Sequence, residues 1–374
     1  MTKVAVGMSG GVDSAVAAYL LKEQGYDVVG VTLRTSESIS RCCEIDDARD
    51  AAEKIGIPYH VFNFSSEFDR KVVEPFVQSY CSGRTPNPCV VCNRVLKWEY
   101  MMYAARVLGA EKIATGHYAS VIRLENGRYS VRTAEHAAKD QSYMLYRLSQ
   151  EQLAATLMPL GPYSKDQVRK IAADIGLEIA AKPDSQEICF VSDDDYAGFI
   201  KNWLAGKQAA CGSGEEAAAG MPADGADPFA EGDFVDADGK VLGRHKGIAC
   251  YTVGQRKGLG IALGYPAYVL KIDTAKNQVV LGPVEALFTD TVCLGDVNFM
   301  GIDRLAPGES LKVFAKIRYQ HPAAEALLKL PDPAQKPYCE AVLHFRKPVK
   351  AAAPGQSSVF YDEAGCVLGG GIIQ

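Results

Sequence analysis

The sequence predicts an α/β protein: a parallel sheet with crossover helices in the amino-terminal half, then a small β-rich central domain, then a C-terminal β-barrel-like domain. Three observations predict it. Short β-rich runs alternate with amphipathic segments through the first half, the pattern of strands joined by helices. A glycine turn, Gly7-Met8-Ser9-Gly10-Gly11-Val12-Asp13-Ser14, joins the first apolar run directly to the first helical segment. Beyond residue 232 the helical period vanishes, and short strands with glycine and proline turns take over.

Taken in order, Lys3–Gly7 reads as a buried strand and Asp13–Gln24 as a helix. Asp27–Leu33 is the second strand, Asp46–Ile55 the second helix, Tyr59–Phe64 the third strand and Lys112–Thr115 another. Ligands of such Rossmann-like sheets sit beyond the carboxyl ends of the strands, where the glycine turn lies. Val121–Leu124 and Tyr129–Arg132 flank Glu125-Asn126-Gly127-Arg128, a hairpin signal. Ser164–Ile175 reads as a helix with Ser164 as N-cap and Gly176 as stop. From Lys207 to Gly232 alanine, glycine and acidic residues dominate without periodicity, which predicts a linker or mobile insertion. Ala267–Ile272, Gln278–Leu281, Leu311–Ile317 and Cys339–Phe345 are strands of the β domains. The predicted units are residues 1–206, a linker at 207–232, then 233–283 and 284–374.

A chain of 374 residues is long enough for two or three cores. Apolar content of 48% and charged content of 23% exclude bulk disorder. The net charge of −5 does not advertise a nucleic-acid partner, so any phosphate-binding surface must be local. Eleven scattered cysteines form no secreted disulfide framework and predict free or reactive thiols in a reducing compartment. No basic segment with a long apolar stretch opens the chain, and no run is long and apolar enough to span a bilayer. The expected location is the cytoplasm, with no membrane partner.

The glycine turn carries the first chemistry. Paired glycines let backbone approach a phosphate, and exposed amides at a helix N-terminus attract anions. Ser9 and Ser14 add hydroxyl donors. Asp13 would repel a phosphate and suits a Mg²⁺ ligand or a helix cap better. The pattern lacks the Gly-Lys-Ser/Thr ending of a Walker loop. Met8 to Ser14, with Ser-Gly-Gly-Val-Asp-Ser at its heart, resembles the PP-loop ATP pyrophosphatase family, which implies cleavage of ATP to AMP and pyrophosphate to activate an oxygen as a leaving group.

The second chemistry is sulfur. Pro86-Asn87-Pro88 cannot be helical, so Cys89 and Cys92 are expected just before a helix, Arg94 to Leu108, where a thiolate is favoured. Cys189 follows a turn in an apolar run. Three readings stay open: inert buried cysteines, an iron–sulfur site on Cys89, Cys92 and Cys189, or a persulfide relay.

Arg84-Thr85-Pro86-Asn87-Pro88 with Cys92-Asn93, followed by Ile188-Cys189-Phe190, is similar to the bacterial tRNA-uridine 2-sulfurtransferase family. The resemblance runs on through Ala114-Thr115-Gly116-His117-Tyr118, Lys139 to Tyr143, Tyr251 to Arg256 and Pro354 to Ser357, covering almost the whole chain in order. It implies that Gly7, Met8, Ser9, Gly10, Gly11, Val12, Asp13 and Ser14 bind ATP, with Leu33 and Gly116 near the nucleotide. It implies Cys92 as nucleophile and Cys189 as persulfide carrier, joined in a disulfide after turnover. Asn87, Pro88 and Cys89 would line the target-base pocket. His117, Lys139, Asp140, Gln141, Arg318, Tyr319 and Gln356 would touch tRNA. The implied substrate is the wobble uridine of Lys, Glu and Gln acceptors, and the implied sulfur donor is a cysteine desulfurase or sulfur-relay protein. The chain departs from the family at Cys89, where many relatives carry Asp.

Read without the resemblance, His117 is a loop histidine, Lys139-Asp140-Gln141 a polar loop, and Arg318 and Tyr319 a strand end that could clamp phosphate and stack on a base. His344, Arg346, Lys347 and Lys350 form a modest basic cluster. Trp98 and Trp203 are expected in cores, and Cys42-Cys43 has no expected role. Alternatives kept open are another PP-loop adenylating enzyme, amide-forming or of the lysidine-type tRNA ligase kind, and a tRNA-binding protein without chemistry. None of these needs the two cysteines.

Overall fold

The computed structural model describes residues 1–35, 45–181, 188–191, 195–211, 226–306, 308–331 and 339–374. Cys42, Cys43 and Asp184 to Glu187 lie outside the described residues.

Strands β1 (Lys3–Gly7), β2 (Asp27–Arg34), β3 (Tyr59–Asn63) and β4 (Lys112–Ala114) lie parallel in the order β3-β2-β1-β4. A hairpin of β5 (Ala119–Arg123) and β6 (Tyr129–Thr133) follows, and β7 (Thr156–Leu157) completes the sheet beside β4. Val4, Ala5 and Val6 are fully buried because helices cover both faces of a parallel sheet. The chain works outward from β1 to β3 and then returns to the other side of β1 as β4. That reversal opens a crevice at the carboxyl ends of β1 and β4, where the glycine turn and Gly116 sit.

The local signals resolve physically. Ser164 accepts from the Gln167 amide at 3.2 Å, and Gln167 Oε1 accepts from the Ser164 amide at 2.7 Å, which starts the helix Lys165–Asp174. In the hairpin, the Gly127 amide donates to Leu124 O at 2.9 Å, with Gly127 at φ +83°. The Leu124 amide donates to Arg128 O at 2.8 Å, so the turn is a three-residue loop closed by a glycine.

Of the stretch expected as a linker from Lys207 to Gly232, residues 212–225 lie outside the described residues. The helix Tyr196–Cys211 runs into it. Its alanines are good helix formers, and Lys207 Nζ is anchored 2.8 Å from Asp69 Oδ2 and 5.0 Å from the Trp203 ring. Gly232 already begins β8.

Strands β8 (Gly232–Val235), β9 (Val241–His245), β10 (Tyr268–Asp273) and β11 (Gln278–Gly282) form a central sheet ordered β10-β11-β8-β9. The last six, β12 (Phe288–Phe299), β13 (Ser310–Lys316), β14 (Ala324–Lys329), β15 (Ala341–Lys350), β16 (Ser357–Tyr361) and β17 (Val367–Ile373), close into a barrel. The expectation of unbridged thiols fails at one pair and holds for Cys81, Cys89, Cys92, Cys189, Cys250 and Cys366. Cys293 of β12 and Cys339, just before β15, form a disulfide because the paired strands bring their Cα atoms to 5.6 Å.

The barrel is mounted on the α/β domain through a shared core. Met300, Val359, Tyr361 and Val367 pack with Val131, Tyr143, Leu145 and Tyr146. Two polar contacts sealed in this seam are Tyr143 OH donating to Ser357 O at 2.7 Å and Asn298 Nδ2 donating to Tyr146 O at 2.6 Å. Among the described residues no helix is long and apolar enough to cross a membrane.

Candidate active site

The glycine turn is fixed to its neighbours before it meets any ligand. The Met8 amide donates to Val31 O at 2.8 Å, and Thr32 Oγ1 donates to Met8 O at 2.6 Å, so β2 holds the turn from the side. Gly10 adopts φ +78°, a left-handed conformation that favours glycine. Ser14 Oγ donates to Gly11 O at 2.9 Å and accepts from the Ser9 amide at 3.2 Å, closing the loop on itself. Gly11 is the N-cap of the helix Val12–Glu23, and no side chain caps it. A Cβ on Gly11 would meet only Ser9 Oγ, at 3.5 Å. The helix end therefore offers amides across an unobstructed glycine surface, which suits an anion. The N-cap expected at Asp13 is corrected, since Asp13 sits one position into the first turn.

Asp13 is instead embedded in a polar cluster. Lys165 Nζ lies 2.8 and 2.9 Å from its two carboxylate oxygens, and Tyr118 OH donates to Oδ1 at 2.7 Å. A Mg²⁺ ion taking Asp13 as ligand would have to displace or share with Lys165. Gly116, after β4, faces the same turn, and Leu33 lies buried near the end of β2. Sequence reasoning missed Lys165, although its place next to the cap Ser164 was visible.

The thiol-bearing segment differs from expectation. Asn87 caps a helix that begins at Pro88, and its side chain accepts from the Val90 amide at 3.4 Å. Cys89 and Cys92 are thus within the helix Pro88–Cys92 rather than ahead of it, because proline is well suited to the first helical position. The helix continues through a wide π-helical turn, Asn93–Trp98, into Glu99–Val107. The expected lowering of a thiol pKa is corrected for Cys89. Burial pushes it up, the nearby Lys97 works against this, and Cys189 adds to the rise.

Cys189 and Cys92 pack against one apolar cluster that includes Phe76, Val77 and Phe190. Cys89 lies within electrostatic reach of both Cys189 and the Tyr319 phenol. Among the described residues no three of His, Cys, Asp or Glu are arranged to hold a metal ion. The three cysteines therefore do not form a ready cluster site.

His117 follows Gly116 and packs beside Trp98. Its Nδ1 is 2.9 Å from Thr115 Oγ1, and its ring lies 5.4 Å from that of Trp98. Burial, reinforced by the Lys97 charge, lowers its pKa to about 3, so the imidazole is neutral. Trp98 is a core residue, donating to Thr156 Oγ1 at 2.8 Å, and Trp203 donates to Asp69 at 3.0 Å. Lys97, whose charge reaches His117 and Cys89, carried no signal of its own in the sequence.

The barrel side of the site is built from Arg318, Tyr319 and Gln356. Tyr319 OH donates to Asp140 O at 3.0 Å, and its ring lies 5.9 Å from Tyr143. Arg318 reaches Lys350 O at 3.4 Å. Gln356 sits in the turn before β16 that docks on Thr85. Asp140 is buried and accepts from the Ala134 and Ser142 amides and from Ser142 Oγ. Gln141 Oε1 accepts from the Tyr118 amide at 2.9 Å. His344, Arg346 and Lys347 lie on the outer face of β15, away from the barrel core.

Residues 2–193 match the family described as tRNA methyl transferase HUP domain, 226–283 its PRC-barrel domain, and 289–373 the aminomethyltransferase beta-barrel domain. The chain is 48% identical to a tRNA-specific 2-thiouridylase MnmA of Lachnoclostridium phytofermentans, over 100% of this chain and 99% of that one. It is 46% identical to the protein of that name from Acetivibrio thermocellus and 45% identical to that of Clostridium acetobutylicum, each over 100% of this chain and 99% of the relative.

Proposed function

The chain belongs to the tRNA-specific 2-thiouridylase family, and from that premise we propose how its own residues carry out ATP-dependent thiolation of a tRNA uridine. The enzyme is a tRNA-uridine 2-sulfurtransferase. The target we assign is the wobble uridine of Lys, Glu and Gln acceptors.

A uracil 2-oxygen is a poor leaving group, and ATP supplies the adenylyl group that makes it a good one. Gly10 and Gly11 would hold the phosphates, with the uncapped helix end facing their charge. Mg²⁺ would accompany the nucleotide, and Asp13 is its candidate ligand only if Lys165 shares the carboxylate.

The sulfur comes as a persulfide on Cys189, loaded by a cysteine desulfurase or sulfur-relay protein. The Cys92 thiolate attacks the inner sulfur, forming the Cys92–Cys189 disulfide and releasing the outer sulfur as hydrosulfide. That hydrosulfide adds to carbon 2, and AMP departs with the oxygen. The disulfide is then returned to two thiols by an external thiol reductant. Asn87, Pro88 and Cys89 would line the pocket for the target base, and Tyr319, within electrostatic reach of Cys89, would offer it an aromatic face. His117, Lys139, Arg318 and Gln356 are the proposed tRNA contacts.

One observation supports this reading: the His117 ring, one residue beyond the Gly116 that abuts Asp13 and Ser14, lies 5.4 Å from Trp98 in the helical run that continues from Cys92. The test incubates the protein with tRNA, ATP, Mg²⁺ and a persulfide source and examines the nucleosides by mass spectrometry. 2-Thiouridine is expected from the wild type, and none from Cys92→Ser or Cys189→Ser. Full product from both variants would replace the persulfide route with an adenylating chemistry that needs neither thiol.

A further inference from the structure

The segment from Gly83 to Cys92 carries two of the candidate thiols, and both β domains grip its start. Gly83 has φ +66°, and a Cβ there would come within 2.9 Å of Ile272 and 3.0 Å of Thr274, so the central sheet lies directly on this turn. Arg84 Nη2 donates to Ile373 O and to Gln374 Oε1, both at 3.2 Å. The Thr85 amide donates to Pro354 O at 2.8 Å. From the barrel side, Gly355 has φ +93° and donates its amide to Ile373 O at 2.9 Å. A Cβ on Gly355 would lie 2.9 Å from Thr85 N and 3.0 Å from Arg84 Cβ. One carbonyl, that of Ile373, thus receives both Arg84 and Gly355.

Little slack separates this clasp from the chemistry. Pro86 and Pro88 restrict the backbone between Thr85 and Cys89, and Asn87 caps the helix that follows. Farther on, Asn93 Nδ2 donates to Met144 O at 3.2 Å, fixing the helix on its other side. A displacement at Arg84 is therefore passed on to Cys89 and Cys92 rather than absorbed.

We infer that Arg84 is a positioning residue for the thiol centre, clamping the start of the cysteine-bearing helix to the barrel with Gly355 as its counterpart. The inference rests on the sulfurtransferase reading of the site. Among the described residues the guanidinium contacts belong to the end of the barrel, not to the nucleotide turn. Its role is geometric: the barrel that holds the tRNA also sets where the sulfur atoms stand. Arginine suits the place because its rigid planar group aims Nη2 at both acceptors, whereas the flexible stem of lysine would hold its donors less firmly.

The test uses the full chain and four forms: wild type, Arg84→Ala, Arg84→Lys and Gly355→Ala. Single-turnover thiolation is measured on persulfide-loaded protein, alongside tRNA affinity and thermal unfolding. Arg84→Ala and Gly355→Ala are expected to slow the single-turnover step about 10- to 100-fold, the scale of a small misplacement of reacting groups. Their tRNA dissociation constants should change by less than about threefold, separating a rate defect from a binding defect. Arg84→Lys should recover part of the rate. If Arg84→Ala does not fold, Arg84→Lys and Gly355→Ala carry the comparison. Wild-type rates in these variants, or rates that fall only in step with tRNA affinity and melting temperature, overturn the inference. A wild-type protein that makes no 2-thiouridine overturns the sulfurtransferase reading instead.

Discussion

Gly116 presses on the peptide joining Asp13 to Ser14, and a Cβ at 116 would stand 2.7 Å from both the Asp13 carbonyl carbon and the Ser14 nitrogen. The obstacle is backbone, so no rotamer change relieves it. Gly116→Ala should push the glycine turn out of shape at a cost of about 1–3 kcal/mol. ATP affinity should fall with it, because the displaced peptide belongs to the helix end proposed to receive the phosphates. Calorimetric titration with ATP and urea unfolding check both. Unchanged ATP affinity would remove Gly116 from the nucleotide site.

The Asp13–Lys165 pair predicts non-additive losses. Lys165 is mostly buried, and its partner carboxylate is 31% exposed, so a residual charge would be partly solvated. Lys165→Met should cost about 1–3 kcal/mol by leaving that carboxylate with a lone Tyr118 hydroxyl. Asp13→Asn should reduce AMP formation comparably, and the double variant should be no worse than the poorer single one. Fully additive losses in a double-mutant cycle would show that the two residues act separately, with Asp13 serving another partner such as Mg²⁺.

The glycine turn was legible in sequence because a strand, a glycine-rich string and a helix are contiguous, and that local order fixes where an anion can sit. Ser164 and Gly176 were legible for the same reason: caps are written within one helical turn. Lys165 with Asp13 was not, since the pair is 152 residues apart and only the packing of two helices joins them. The start of the cysteine helix was misplaced because Pro-Asn-Pro reads as a breaker, while structurally Asn87 caps and Pro88 begins. Residues 207–211 looked like linker because their alanines carry no apolar stripe. What keeps them helical is continuity with a helix anchored through Trp203 and Lys207 on Asp69. The disulfide at Cys293 and Cys339 depends on barrel pairing, which no spacing rule reveals.

His117 predicts a specific acid sensitivity. Its folded pKa of about 3 lies below the ordinary histidine value, so between the two the unfolded chain binds a proton that the folded chain refuses. Stability from this residue is therefore present above about pH 6.5 and is lost as pH falls toward 3. Between pH 7.5 and 5.5 the loss is about 1.4 kcal/mol. His117→Gln, which can keep the bond to Thr115, should lack that increment. Urea unfolding of both proteins at the two pH values measures the difference, and identical pH slopes would refute it. A neutral ring would meet tRNA as a hydrogen-bonding group rather than as a cation.

Lys139, Asp140 and Gln141 are consecutive, yet the fold gives them different tasks, and this separates their variants. Asp140 is buried under two amides and a hydroxyl, with Lys316 Nζ at 3.6 Å, and its own carbonyl receives Tyr319. Asp140→Asn puts an amide donor where only acceptors fit, and it should destabilise the protein by about 1–3 kcal/mol. Tyr319 would shift with it, so tRNA affinity should fall at every salt concentration alike. Lys139, half-buried at the end of a short turn, should behave oppositely. Lys139→Ala should leave the melting temperature near wild type and reduce the slope of log affinity against log salt by about one. Binding measured across a salt series, with thermal unfolding beside it, distinguishes the two. A salt slope unchanged by Lys139→Ala would take that lysine out of the tRNA interface and leave the segment as a structural hinge between the α/β sheet and the barrel.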